Sequence, residues 1–190
     1  TVRKYSQVPV EREKTEKILE AGRWAPTAVN AQPQRILILD TKENLDKVRE
    51  FCTFGWQKEY ADLAKESDTA DHSASVFYYG APVVMLICYD SKACWKHPES
   101  GESSGSTDAT IVAVHMMMEA ASLGLGTAWI SYFDKEKARK LLHILENWKP
   151  VCMLYVGYPS EKFEVNHKLS GNRKPLSETC FFNSIDIMEE

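Results

Sequence analysis

The sequence predicts an α/β fold built on a layered sheet. Apolar runs of strand length at residues 36–39, 83–89 and 151–156 alternate along the chain with segments of helical period. Proline or glycine punctuates most of the junctions between them. The 190 residues, 44% hydrophobic and 26% charged, are enough for a self-sufficient core, because a chain of this size buries roughly 70% of its unfolded surface. One domain spanning 1–190 is expected, without internal repeat or linker.

Residues 11–22 form the first helix, with Ile18, Leu19 and Ala21 on one side and Gly22 at its end. Residues 24–33 form a loop, because Pro26 and Pro33 bracket small and amide residues through which a helix cannot easily run. The strand 36–39 follows. Asp40 and Glu43 have the spacing of a capping box, opening a helix with Leu45, Val48 and Cys52 inward. Residues 56–65 read as another helix. Pro82 leads into the strand 83–89, which Asp90 stops.

Residues 95–108 are rich in Ser, Gly and Glu and read as a mobile surface loop. The helix 109–123 is apolar on nearly every side, through Ile111, Val112, Val114, Met116, Met117, Met118, Ala120 and Leu123. Such a helix is buried, and in so small a domain a second subunit is expected to cover part of it. Gly124-Leu125-Gly126 ends it, and 127–131 is a short strand. Asp134 caps a helix carrying Ala138, Leu141, Leu142 and Leu145 at helical spacing. Pro150 begins the strand 151–156, and Gly157-Tyr158-Pro159 closes it. The last thirty residues are a polar tail with a basic knot at 168–174.

The formal net charge of −4 gives no general attraction to nucleic acid or anionic membrane. The longest apolar run, 83–89, falls far short of the roughly 18 residues of a membrane span. The N-terminus is polar and shows no signal segment. It does not begin with Met, so a few further residues are expected ahead of Thr1. Five cysteines, an odd number without a C-x-x-C pair, favour reduced thiols and a cytoplasmic setting.

His115 and Glu119 stand four apart, as metal ligands can, but a third partner is missing from the pattern, and a hydrogen-bonded core histidine is the better reading. There is no G-x-S-x-G elbow and no phosphate loop, and Gly124-x-Gly126 follows a helix rather than a strand. Four polar features remain: Arg3, the amide-rich loop 27–32, the turn 124–130 and Arg173. Gathered by the fold, they would offer a phosphate clamp, amide groups and free backbone N–H groups, a set that suits flavin mononucleotide.

The chain resembles the FMN-dependent nitroreductase family over nearly its whole length. Thr1-Val2-Arg3-Lys4-Tyr5 matches the end of that family's opening Arg-Arg-Ser-x-Arg-x-Tyr/Phe motif. Ala25-Pro26-Thr27-Ala28-Val29-Asn30-Ala31-Gln32-Pro33 resembles its Ala-Pro-Ser-x-x-Asn-x-Gln-Pro loop, and residues 120–130 resemble its central helix and following turn. Gly157-Tyr158-Pro159 and Arg173-Lys174-Pro175-Leu176 are similar to its closing elements. The chain departs from the pattern in lacking the leading Arg-Arg pair, in having Gln34 where Trp is frequent, and in having Ser131 in place of Gly.

The resemblance implies the α+β, three-layer form of that fold, a mixed central sheet flanked by helices, and a homodimer with one FMN in each interface cleft. It implies an enzyme in which NADH or NADPH reduces the flavin and a nitroaromatic or quinone reoxidises it, in ping-pong order. No catalytic side chain and no metal are expected, because the chemistry belongs to the flavin. Thr1 and Val2 would lie at the flavin, Thr1 bonding its phosphate, with Arg173 and the adjacent Lys174 as cations there. Arg3 would lie at the ring edge that becomes anionic on reduction. Pro26, Thr27, Ala28 and Asn30 would approach from the partner subunit, and Trp129, Ile130 and Ser131 would line the ring by backbone. Acceptor choice would rest with segments such as 56–79 and 91–106. A non-catalytic flavin carrier, a reductive dehalogenase and a flavin-cleaving relative are alternatives on the same fold.

Overall fold

The structure, a computed structural model, describes residues 1–52, 79–161 and 171–183. The helix expected at 56–65 lies outside these residues. Four strands, β1 (Gln34–Leu39), β2 (Val83–Asp90), β3 (Gly126–Ile130) and β4 (Trp148–Gly157), form a sheet in the order β1-β2-β4-β3. The resemblance implied a mixed sheet; each of the three described pairings is antiparallel. The described α-helices are α1 (Arg12–Arg23), α2 (Lys42–Phe51), α3 (Gly105–Ser122) and α4 (Lys135–Leu141).

The pleat sends alternate residues to opposite layers. Val84, Leu86 and Cys88 of β2, with Met153 and Tyr155 of β4, pack with Val48 and Phe51 of α2 and Ala138 of α4. Val83, Met85 and Ile87, with Cys152, Leu154 and Val156, pack with Ile18 of α1 and Val112, Ala113 and Met116 of α3. Burial on both faces is why β2 and β4 read as continuous apolar runs. Each fully buried Leu, Ile or Met there contributes about 1.5–3 kcal/mol. This is the expected three-layer α+β arrangement.

Several boundaries depart from the sequence reading. The cap of α2 is Thr41, whose Oγ1 accepts from the Asn44 N–H at 3.4 Å, rather than Asp40. β4 begins at Trp148, two residues before Pro150. Pro150 is tolerated because the β2–β4 register shifts between Ile87 and Cys88, an irregularity where a missing N–H breaks no regular ladder bond. Helix α4 stops at Leu141, and His143 at φ 51° turns the chain so that Leu145 is exposed. Asp134 caps α4 as expected, accepting from the Lys137 N–H at 2.9 Å.

The stretch read as a mobile loop, 95–108, is a hydrogen-bonded excursion that runs into α3. Lys96 bridges Ser103, and the N–H groups of His97 and Gly101 donate to the carbonyls of Glu102 and His97, both at 2.8 Å. His97 Nδ1 accepts from the N–H groups of Glu99 and Ser100 at 3.3 and 3.2 Å. No helix among the described residues is long and apolar enough to cross a membrane.

Candidate functional site

The N-terminal segment is fixed by backbone bonds to the ends of β3 and β4. The Val2 N–H donates to the Thr127 carbonyl at 2.8 Å, Ser6 N–H to Tyr158 at 2.9 Å, and Ser160 N–H to Lys4 at 3.0 Å. Tyr5 bridges Pro159, and its buried hydroxyl donates to the Tyr155 carbonyl at 3.2 Å. Burial pushes the Tyr5 phenol well above its ordinary range, which keeps that proton in place.

Two glycines make this seating possible. Gly126 and Gly157 are paired across β3 and β4. A Cβ on residue 126 would overlap the Val2 side chain, and one on residue 157 would collide with Pro82 and Tyr5. With Val2 and Tyr5 turned inward, Thr1 and Arg3 are exposed. No ion pair to Arg3 occurs among the described residues.

In an antiparallel strand each residue turns its N–H and C=O to the same side, and neighbours alternate. Thr127 therefore faces the outer edge of β3 in the described sheet, where Val2 meets it, and Trp129 faces the same way. Trp129 is half-buried against the α1/α3 layer and Ile130 against the α2/α4 layer, while Ser131 is exposed. Arg3 thus stands beside a strand edge with backbone groups aimed outward.

The loop before β1 is tightly wound. The Asn30, Ala31 and Gln32 N–H groups donate to Thr27 O, Ala28 O and Thr27 Oγ1, at 3.0, 2.9 and 3.1 Å. Val29, Asn30 and Gln32 have φ of 49°, 56° and 47°, a left-handed conformation uncommon for non-glycine residues and least favourable for a β-branched one. Pro26, Val29 and Asn30 are exposed, and Thr27 and Ala28 are half-buried. The Ala28 N–H donates to Asp108 Oδ1 at 2.9 Å.

The structure seats Val2 against Gly126 and Thr127 at the start of β3, the strand that carries Trp129 and Ile130, but the loop stands apart from this seat in the same chain. Thr127 lies in the row of Val83, whereas Gln34, beside the loop, lies opposite Tyr89. Those six steps along β2 amount to about 20 Å. Arg173 and Lys174 sit in 171–183, where every residue is exposed. The described bonds of that segment are local, including Lys174 to Glu178 at 3.6 Å.

A sequence profile of the Nitroreductase family matches residues 1–158. The chain belongs to the nitroreductase family. A crystal structure of a nitroreductase family protein from Clostridium difficile 630 is 30% identical, covers 97% of this chain and 94% of its own, and superposes with a TM-score of 0.80. A protein of Methanothermobacter thermautotrophicus with the provisional name NADH dehydrogenase/NAD(P)H nitroreductase is 28% identical over 165 residues, covering 85% of this chain and 73% of its own. A solved oxidoreductase containing FMN shares the fold, with a TM-score of 0.71 at 21% identity, covering 97% of this chain and 88% of its own.

Sequence reasoning for this nitroreductase-family chain missed Asp108, a buried carboxylate under the loop. It also missed the packing roles of Gly126 and Gly157. A glycine within or ending a strand signals close approach of other atoms, and that signal was available for both. For Asp108 the sequence offered only an acidic residue at the edge of a polar stretch. His115 and Glu119 share a turn of α3, and no group of three or more His, Cys, Asp or Glu among the described residues is arranged to hold a metal ion.

Proposed function

We propose that this chain is an FMN-dependent oxidoreductase that uses NADH or NADPH to reduce nitroaromatic or quinone-type acceptors in ping-pong order. The observation that carries the reading is the Val2–Thr127 bond, which holds a cation without a described ion pair, Arg3, beside the outward backbone edge of β3. That donor set fits a ring with carbonyl and nitrogen acceptors along one edge and a phosphate beyond. Bound there, FMN would supply the redox chemistry, accepting a hydride from the nicotinamide and returning two electrons to the acceptor.

The chain's own groups bind and orient. Arg3 stabilises negative charge at the ring edge by fixed electrostatics. The backbone at Trp129, Ile130 and Ser131 lines the ring without relying on side-chain identity. Thr1, Arg173 and Lys174 are assigned to the phosphate, with Arg173 suited to bidentate pairing. Pro26, Thr27, Ala28 and Asn30 complete the cleft from a second copy, as the separation of about 20 Å along β2 supports.

A homodimer is part of this reading. Val114 and Met118 are exposed one turn apart on α3, and Leu176, Phe181 and Phe182 are exposed in 171–183. Exposed apolar groups on α3 and in 171–183 support an interface, and a two-fold axis lets such a surface meet its own copy. The test is steady-state kinetics on the FMN-loaded protein with NADH or NADPH and a quinone. Parallel double-reciprocal lines are expected; intersecting lines, or no turnover with either nicotinamide, contradict the proposal.

A further inference from the structure

We propose that Asp108 is a positioning residue for the cleft, fixing the loop 26–32 in the conformation that meets the cofactor. The proposal rests on the flavin reading above. Asp108 is the one buried charged side chain among the described residues, at 2% exposure. Both carboxylate oxygens are engaged: Oδ1 accepts from the Ala28 N–H at 2.9 Å and Oδ2 from the Ser104 hydroxyl at 2.7 Å. Its own N–H donates to the Ser104 carbonyl at 2.8 Å, and the Ser104 N–H to the Trp95 carbonyl at 3.0 Å. The carboxylate therefore ties the loop both to α3 and to the 95–104 excursion.

The loop needs such a tie. Three of its non-glycine residues are left-handed, and conformations of this kind persist only where the surroundings over-determine them. The bonds at Asn30, Ala31 and Gln32 are internal to the loop and fix its shape without fixing its place. The Asp108–Ala28 bond spans 80 residues and sets the loop against a rigid helix. Taking a carboxylate out of water costs free energy that only good partners offset. Asp108 has those partners, and one of them belongs to the loop predicted to face the flavin.

The test compares Asp108→Asn and Asp108→Ala with wild type, by FMN titration and by hydrogen exchange of a peptide covering 24–33, with a β4 peptide as internal control. In Asp108→Asn the amide oxygen still accepts from Ala28, and its NH2 group donates to Ser104. The serine hydroxyl then turns to the Trp95 carbonyl, 3.3 Å away. That variant should stay within about twofold of wild type in both measurements. In Asp108→Ala the loop peptide should exchange faster while β4 does not, and the FMN dissociation constant should rise about tenfold or more, which is about 1.4 kcal/mol.

Unchanged loop exchange in Asp108→Ala overturns the proposal, as does faster exchange with unaltered FMN affinity. An Asp108→Asn variant as impaired as Asp108→Ala also overturns it, since charge rather than position would then be responsible. If Asp108→Ala does not fold, Ser104→Ala takes its place and should raise both loop exchange and the FMN dissociation constant severalfold; no change in either overturns the proposal. A wild-type chain that takes up no FMN overturns the flavin reading and the cofactor half of this proposal, while the exchange comparison still decides whether Asp108 braces the loop.

Discussion

The side chain of Val2 occupies the space that a side chain on residue 126 would need. That contact, with the Val2 N–H bond to Thr127 at 2.8 Å, sets where Thr1 and Arg3 stand. Replacing Gly126 by Ala should displace Val2 at an overpacking cost of about 1–3 kcal/mol and weaken FMN binding as the segment lifts. The double variant with Val2→Ala should be less destabilised than the sum of the single changes, because the two sites share one volume. Denaturant titration of the four proteins checks this, and additive losses would contradict it.

Arg3 and Arg173 should fail differently when changed to Ala. The phosphate keeps its charge in both redox states of the flavin, so Arg173→Ala should weaken oxidised and reduced FMN alike, by about 1.5–3 kcal/mol. The ring edge beside Arg3 becomes anionic only on reduction, so Arg3→Ala should weaken the reduced form more and lower the midpoint potential. Each 1.4 kcal/mol of that difference is about 30 mV for two electrons. Potentiometry with saturating FMN measures it, and a larger drop for Arg173→Ala would reverse the two assignments.

Burial pushes the thiols of Cys88 and Cys152 up to about 12, whereas Cys180 is exposed. At pH 8 a thiol reagent should modify Cys180 readily and reach Cys88 and Cys152 only after denaturation. The sign of the linkage follows from the raised values. The unfolded thiols lose their protons near pH 9 and the folded ones only near 12, so stability falls as pH rises through that window. Denaturation midpoints from pH 8 to 11 should decline, and less steeply in a Cys88→Ala/Cys152→Ala variant than in wild type.

On α3, Met118 is 69% exposed and Val114 is 44% exposed. Met118→Glu should leave the monomer's core unaltered and dissociate the proposed dimer, because an unpaired charge in an apolar interface is costly. Sedimentation should show a wild-type dimer and a monomeric variant. A wild-type monomer that holds FMN would contradict the shared cleft.

What the sequence made legible follows from periodicity. β2 and β4 stand out as continuous apolar runs because both of their faces are buried, and Asp134 is legible as a cap because its bond to Lys137 is local. Thr41 and Asp40 are both capping types, and the path of the chain out of β1 chooses between them. Pro150 looks like a strand start until the partner strand supplies a shifted register. The left-handed turn at Val29 carries no glycine to announce it, and the carboxylate that ties down the loop is 80 residues away. Of the proposed cleft, local motifs marked Arg3 and the 26–30 loop, and the glycine at 126 signalled a close approach, while Val2 as its occupant and the brace at Asp108 required the tertiary structure.

Flavin binding by this chain is tested most directly by the absorbance spectrum of the purified protein, followed by titration with FMN and release of the bound flavin for counting. A yellow protein that saturates at about one FMN per chain is expected, with an Arg3→Ala/Arg173→Ala variant retaining markedly less under the same conditions. A folded, colourless protein that takes up no FMN on reconstitution would contradict it.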